Sequence, residues 1–101
     1  MSDAVVSPRT RSRPRTKRPR LHKVILLNDD YTPRDFVVGV LASVFGMTED
    51  QAWRVMMTAH SKGVCVVAVY TREVAETKAT EGTEAGRSNG YPLMFTTEPE
   101  E

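Results

Sequence analysis

Short apolar runs alternate along the chain with longer stretches in which apolar residues have helical spacing, and the short runs predict three strands. A nearly continuous apolar run at residues 21–27 predicts a first strand, which the polar sequence Asn-Asp-Asp at residues 28–30 ends. The β-branched run at residues 64–70 is too short for a helix and predicts a second strand. Residues 91–97 predict a last strand, and Pro92 places it at a sheet edge or at the strand start.

Helical spacing of apolar residues predicts a first helix between the first two strands. Its apolar positions are Phe36, Val37, Val40, Leu41 and Val44. Thr32 is predicted as the N-cap of this helix, with Pro33 as the first helical residue. Gly46 is predicted to end the helix in a left-handed conformation.

A second helix is predicted to follow at once, because Thr48 and Gln51 have the spacing of a capping box. Gly63 is predicted to end it. The apolar face of this helix consists of Ala52, Val55, Met56 and Ala59.

A third, polar helix is predicted to begin after Thr71. Gly82, Gly86 and the sequence Ser-Asn-Gly at residues 88–90 lower the helix propensity of its far end, so we expect this helix to be short. The resulting order β-α-α-β-α-β predicts an α+β fold in which a three-stranded antiparallel sheet packs against three helices.

Charge is distributed unevenly along the 101 residues, although the formal net charge is only +1. Residues 1–20 carry seven basic side chains and one acidic one, whereas residues 21–101 carry seven basic and twelve acidic ones. A segment so rich in proline and like charge cannot bury enough apolar area to fold. We therefore expect a flexible basic N-terminal extension at residues 1–20 and a single core domain at residues 21–101.

Composition also excludes several classes of protein. The one cysteine, Cys65, cannot form an internal disulfide bond. No apolar run approaches the ~20 residues of a membrane span, and the N-terminus lacks the apolar stretch of a secretory signal. We therefore expect a cytoplasmic protein that does not associate with membranes.

The turn at residues 28–30 is the first candidate site. Asn28, Asp29 and Asp30 place oxygen acceptors between an apolar strand and a helix. They can simply form a turn, or they can hold a cation such as an ammonium group. His60, near the end of the second helix, can complement the helix dipole or provide an acceptor nitrogen.

Met56, Met57 and Ala59 are a further candidate, because methionines at helical spacing are typical of a core and also of pockets that accept varied shapes. Cys65 is interpreted as an inert core residue.

A metal site is the rival interpretation of Asp29, Asp30, His22 and His60, but these residues lack a fixed ligand spacing. The chain contains neither a nucleophile motif nor a glycine-rich phosphate loop. We therefore predict no catalytic residues, no metal and no cofactor, and the protein is not expected to be an enzyme.

Four sequence blocks resemble one known family, the ClpS adaptors, and they occur in the family's order over residues 21–95. The blocks are residues 23–33 (KVILLNDDYTP) with Phe36-Val37, residues 59–63 (AHSKG), residues 70–78 (YTREVAETK) and, more weakly, residues 91–93 (YPL). The resemblance implies an adaptor of the bacterial N-degron pathway and no enzymatic activity. Such an adaptor binds proteins through a bulky apolar N-terminal residue (Leu, Phe, Tyr or Trp) and delivers them to the unfoldase ClpA and its peptidase ClpP. We expect it to be monomeric.

The resemblance also implies a role for particular residues. Asn28, Asp29 and His60 match the groups that hold the free α-amino group of the substrate. The positions beside and within the pocket are Asp30 and Thr32 at its mouth, and Val37, Met56, Ala59 and Leu93 in its apolar wall. Glu73 and Lys78 match positions associated with docking on the unfoldase.

Three features depart from the family pattern, and one of them is the low helix propensity of residues 79–90 described above. Arg34 occupies a position where the family usually has a methionine that guards the pocket entrance, and Ala59 replaces a larger aliphatic residue. Because an arginine fork differs from a methionine in charge and rigidity, we predict an altered selectivity among the four N-terminal residues.

The basic N-terminal extension has two interpretations. In ClpS adaptors it corresponds to an extension that the unfoldase engages during hand-off. Alternatively, its closely spaced arginines bind phosphates, which would make the chain a nucleic-acid or ribosome-associated protein. The extension has no aromatic residues to stack on bases, so such binding would have little sequence specificity.

Overall fold

The computed structural model of the chain describes residues 18–101, which form an α+β fold in the predicted element order. The elements are β1 (Leu21–Leu27), α1 (Arg34–Phe45), α2 (Glu49–Lys62), β2 (Val64–Thr71), α3 (Arg72–Ser88) and β3 (Met94–Pro99). Most of the predicted N-terminal extension, residues 1–17, lies outside the described residues. Within residues 18–101, no helix is both long and apolar enough to cross a membrane.

Within the described residues, the strands form an antiparallel sheet in the order β2-β1-β3. The central position of β1 explains its continuous apolar run, because Val24, Ile25 and Leu26 are all buried although they point to alternate faces. The prediction that the last strand lies at an edge is confirmed. This strand begins only at Met94, so Pro92 precedes it and costs the sheet no hydrogen bond.

The hydrophobic core lies between one face of the sheet and the helices. Val24 of β1, Leu41 of α1 and Ala75 of α3 meet there and are fully buried. Burial of a side chain such as Leu41 contributes roughly 1.5–3 kcal/mol. Helix packing therefore holds the ends of α1 and α2 in fixed positions beside the end of β1.

The predicted ends of α2 are confirmed. Thr48 and Gln51 form a capping box, in which Gln51 N donates to Thr48 Oγ1 at 3.2 Å and Thr48 N donates to Gln51 Oε1 at 3.0 Å. Gly46 and Gly63 end α1 and α2 with φ of 69° and 92°, a region that glycine enters without steric cost.

The predicted start of α1 is wrong. The helix begins at Arg34, with Pro33 at the cap position, and Val37 N donates to the Pro33 carbonyl at 3.1 Å. Thr32 does not cap it, because its hydroxyl donates instead to Asp29 Oδ2 at 2.9 Å. The carboxylate of the preceding turn therefore binds the residue that the pattern assigned to the helix.

The predicted short third helix is also wrong, since α3 has 17 residues. Gly82 and Gly86 are buried where α3 packs against β3 and the segment before it. A Cβ atom on Gly82 would lie 2.6 Å from the Phe95 ring, and one on Gly86 would lie 2.7 Å from Leu93 Cβ. The two glycines permit this close approach, and the packing offsets a propensity cost of about 1 kcal/mol for each.

Candidate functional site

A cavity of about 150 Å³ opens between the end of β1, the start of α1 and the last turns of α2. Every residue predicted to hold the amino group or to form the pocket lines it. These residues are Asn28, Asp29, Asp30, Thr32, Arg34, Val37, Met56, Ala59, His60 and Leu93. The structure thus brings together residues separated by up to 65 positions in the sequence, while their individual roles remain predictions.

The turn after β1 holds the Asp29 carboxylate in a fixed orientation. Asp29 Oδ1 accepts hydrogen bonds from the backbone N–H groups of Tyr31 at 2.8 Å and Thr32 at 2.7 Å. Its Oδ2 accepts from the Thr32 hydroxyl at 2.9 Å. Since the two carboxylate oxygens offer about four lone-pair positions, Asp29 keeps acceptor capacity toward the cavity.

A backbone hydrogen bond places the turn beside α2. Asn28 N donates to the Gly63 carbonyl at 2.9 Å. The Gly63 carbonyl can reach Asn28 because the left-handed conformation of Gly63 turns the chain from α2 directly into β2. This contact brings His60, in the last turn of α2, to the same cavity as Asn28 and Asp29.

His60 is paired with Arg34 across the cavity mouth. The Nη2 atom of Arg34 lies 3.0 Å from His60 Nε2. A guanidinium can only donate, so Nε2 accepts this hydrogen bond and the imidazole is neutral, with its proton on Nδ1. His60 therefore has the character of an acceptor here, and the neutral ring brings no positive charge to the C-terminus of α2.

The interior of the cavity is apolar. Val37, Met56, Ala59 and Leu93 are buried and form its wall. Met57 belongs to the same sequence run but is 42% exposed and lies outside the cavity lining. Helical spacing agrees with this difference, because Met56 belongs to the apolar face predicted for α2 and Met57 does not.

Two lining residues were missed by the sequence analysis. Leu26 and Leu27 end β1 and contribute to the cavity immediately before the polar turn. Their position directly before Asn28 is the signal that would have identified them, because the last strand residues border any site built on the following turn.

The predicted docking residues lie apart from the cavity, on α3. Glu73 is exposed in the first turn of α3. Lys78 is partly buried, and its Nζ donates to the carbonyl of Val44, in the last turn of α1, at 2.9 Å. Lys78 therefore satisfies a carbonyl that α1 leaves free at its C-terminus, in addition to any role in docking.

The remaining candidates lie elsewhere. Cys65 is partly buried on β2, where burial raises the pKa of its thiol and so lowers the thiolate fraction at neutral pH. His22 is at the opposite end of β1 from the Asn28 turn. Within residues 18–101, no group of three or more His, Cys, Asp or Glu side chains is placed to hold a metal ion.

Comparison with known proteins identifies the class to which this fold and cavity belong. The family model described as ATP-dependent Clp protease adaptor protein ClpS matches residues 17–96, and the chain belongs to the ClpS family of adaptors. The resemblance in the four sequence blocks is therefore confirmed.

Particular relatives match the chain over its whole length. The ATP-dependent Clp protease adapter protein ClpS 1 of Bradyrhizobium diazoefficiens is 66% identical over 101 residues, covering 100% of both chains. ClpS 2 of Mesorhizobium japonicum is 62% identical, again over 100% of both. Among solved structures, Agrobacterium tumefaciens ClpS2 bound to L-phenylalaninamide is 64% identical with a TM-score of 0.81, and the match covers 82% of this chain and 100% of that one.

Proposed function

We propose that this ClpS adaptor binds proteins that carry Leu, Phe, Tyr or Trp at the N-terminus and delivers them to the ClpA unfoldase of the ClpAP protease. In this role it works in the cytoplasm and catalyses no reaction itself. The observation that carries the proposal is a cavity with an apolar interior and hydrogen-bond acceptors at its mouth. An N-terminal residue presents the matching pair of groups, an apolar side chain next to an ammonium group.

The acceptors at the mouth suit a free α-amino group. An ammonium offers three donors and one positive charge. Asn28 offers an amide oxygen, Asp29 a carboxylate and His60 a ring nitrogen, and all three side chains line the cavity. The carboxylate is already oriented by its hydrogen bonds to Tyr31 and Thr32, so binding needs little further ordering there.

The size of the cavity suits a large apolar side chain. An engineered apolar cavity of about 150 Å³ binds benzene, and the cavity here has about the same volume. Complete burial of a Leu or Phe side chain contributes roughly 1.5–3 kcal/mol. The apolar and polar contributions together distinguish an N-terminal Leu or Phe from an internal one, which has no free amine.

The ligand of the Agrobacterium tumefaciens relative supports the proposal. L-Phenylalaninamide has a free α-amino group and a benzyl side chain, and its carboxyl group is an amide, as it is at the start of a protein chain. The 64% identity and TM-score of 0.81 support a similar ligand for this chain.

Delivery to ClpA is supported by the family's association with the Clp protease and by the implied docking positions on α3. The exposed carboxylate of Glu73 is available for a partner's basic group. In this proposal the basic extension at residues 1–20 serves the transfer of the substrate to the unfoldase.

Fluorescence anisotropy with three labelled peptides tests the binding step. The peptides begin with Phe, with acetylated Phe and with Gly. We expect tight binding of the first alone, since acetylation leaves unpaired the acceptors that the bound peptide covers, at a cost of roughly 1–3 kcal/mol, or about 5- to 150-fold in affinity. Equal binding of all three peptides would refute the proposal. RNA binding with a steep salt dependence, combined with no peptide binding, would favour the nucleic-acid alternative.

A further inference from the structure

Arg34 is the feature of the cavity that the proposed function leaves unexplained. Resting on that function, we propose that Arg34 selects the second residue of the bound protein and favours an acidic side chain there.

Arg34 lies at the cavity mouth with an accessible charge. It is exposed in the first turn of α1, at the mouth of the cavity, where its guanidinium contacts a neutral ring nitrogen of His60. Among residues 18–101, no carboxylate lies within 4.0 Å of this guanidinium in a salt bridge. Its charge therefore remains available to a ligand.

Arg34 and a substrate ammonium group compete for the same nitrogen of His60. A neutral imidazole has one acceptor nitrogen, and in the free protein Arg34 occupies it. An incoming ammonium group also only donates, so it can bond to His60 only after Arg34 has left. Binding of the amino group thus releases the guanidinium, while α1 keeps its backbone at the cavity mouth.

The charges at the cavity mouth surround the second residue of the bound protein. Adjacent Cα atoms are about 3.8 Å apart, so when the first residue fills the cavity the second lies at its mouth. Asp29 and Asp30 line this mouth, and Arg34 is the one permanently cationic side chain among the described lining residues. The positive charge of the substrate ammonium offsets the negative charge of one of the carboxylates. The released guanidinium at the cavity mouth then attracts an acidic side chain at the second residue. Without Arg34, the same carboxylates would repel it.

Anisotropy with peptides that begin Phe-Glu, Phe-Gln and Phe-Lys, and are otherwise identical, tests the inference. Glu and Gln have nearly the same shape, so their ratio reports charge. We expect the wild-type protein to bind Phe-Glu about three- to fivefold more tightly than Phe-Gln, with Phe-Lys weakest, and the preference to shrink with added salt. Arg34→Met should reverse the order, whereas Arg34→Lys should retain it.

Arg54→Met is the matched control, because Arg54 is exposed on α2 and lies outside the cavity lining. It should preserve the wild-type order. Equal affinities of the wild type for Phe-Glu and Phe-Gln, or the same ratio in the wild type and Arg34→Met, would overturn the inference and leave the proposed function standing. Failure of all Phe-initiated peptides to bind would overturn both.

Discussion

Asp29 closes the turn after β1 and also faces the cavity, so its two oxygens serve structure and proposed ligand binding at once. Its hydrogen bonds to Thr32 use both oxygens. Thr32 is the buried polar residue among residues 18–101. The proposed binding of the ammonium group therefore depends on Thr32, which orients the Asp29 carboxylate, as well as on the carboxylate itself.

Substitutions at Asp29 and Thr32 separate these two contributions. Asp29→Asn keeps an acceptor for the turn but removes the charge, so we expect a loss of peptide affinity of about tenfold or more with little change in stability. Thr32→Val removes the hydroxyl that orients Oδ2, so it should weaken binding less and lower the free energy of unfolding by about 1 kcal/mol. Thr32→Ser keeps a hydroxyl at this position, so it should have the peptide affinity and the free energy of unfolding of the wild type.

Peptide anisotropy and urea unfolding measure these effects. Asp50→Asn, in the first turn of α2 and outside the cavity lining, is the control and should bind peptide normally. Unchanged affinity in Asp29→Asn would contradict the role given to the carboxylate.

Ala59 and Arg34 are the residues from which we predict altered selectivity among N-terminal residues. Ala59 is buried in the cavity wall, so Ala59→Leu should fill part of the volume and weaken binding of the larger Phe, Tyr and Trp side chains more than that of Leu. Affinities for peptides that begin with each of the four residues test this. A wild type that follows the usual family ranking would refute the altered selectivity, and an unchanged ranking in Ala59→Leu would refute the role given to Ala59.

At the scale of the elements, α3 shows how packing overrides helix propensity. Its glycines favour a short helix when only neighbouring residues are considered, yet the helix continues because Phe95 and Leu93 occupy the space that a Cβ would need. Leu93 also lines the cavity, so the close approach of Gly86 in α3 helps to place one part of the pocket wall.

Gly82→Ala and Gly39→Ala should therefore have opposite effects on stability. Phe95 is buried, so a methyl group 2.6 Å from its ring forces a shift, and we expect a loss of about 1–3 kcal/mol. Gly39 lies inside α1 with open space where a Cβ atom would stand, so alanine there should stabilise by about 0.5–1 kcal/mol.

Urea unfolding of the two variants provides the measurement, and each serves as the other's control. A stabilising effect of Gly82→Ala would show that Phe95 can move aside and that the glycine is not required by packing.

The features that could be predicted from sequence are those determined by neighbouring residues. The Thr48 capping box and the glycine that ends α2 depend on residues within one helical turn, and both are confirmed. Thr32 was misassigned because two local partners compete for it, the helix N-terminus and Asp29, and the carboxylate is the one it binds. The length of α3 depends on Phe95, which follows Gly82 by more than three helical turns of chain and belongs to another element.

The candidate site likewise has features that could be predicted from the sequence and features that depend on how distant elements pack. The family resemblance named ten of the twelve residues that line the cavity, because it assigns positions from separate parts of the chain to one pocket. The contact between Arg34 and His60 joins positions 26 apart and depends on how α1 packs against α2. Similarly, Lys78 was assigned to docking, and only the folded structure shows its hydrogen bond to the Val44 carbonyl.

At the scale of the whole molecule, charge separates the chain into a basic extension and an acidic body that contains the cavity. In the proposed function the two parts have different partners, since the body binds the substrate and the extension serves transfer to the unfoldase. The two activities should therefore be separable by truncation.

Deletion of residues 1–18 tests this separation. Because the cavity lining begins at Leu26, we expect the truncated protein to bind a Phe-initiated peptide with unchanged affinity. Degradation of a Phe-initiated substrate by purified ClpAP should stop. A control in which these residues are replaced by a neutral sequence of equal length reports whether charge or length is needed. Normal degradation with the truncated adaptor would contradict the role given to the extension.

The central position of β1 has a consequence for synthesis of the protein. β1 is made before its two neighbours, β2 and β3, and Leu93 of the cavity wall comes just before the last strand. Until then the middle strand has an unpaired edge and the cavity lacks one side. A growing chain can therefore complete the cavity only after Leu93 and β3 have been made. Chains truncated after residue 92 should lack both peptide binding and a cooperative unfolding transition.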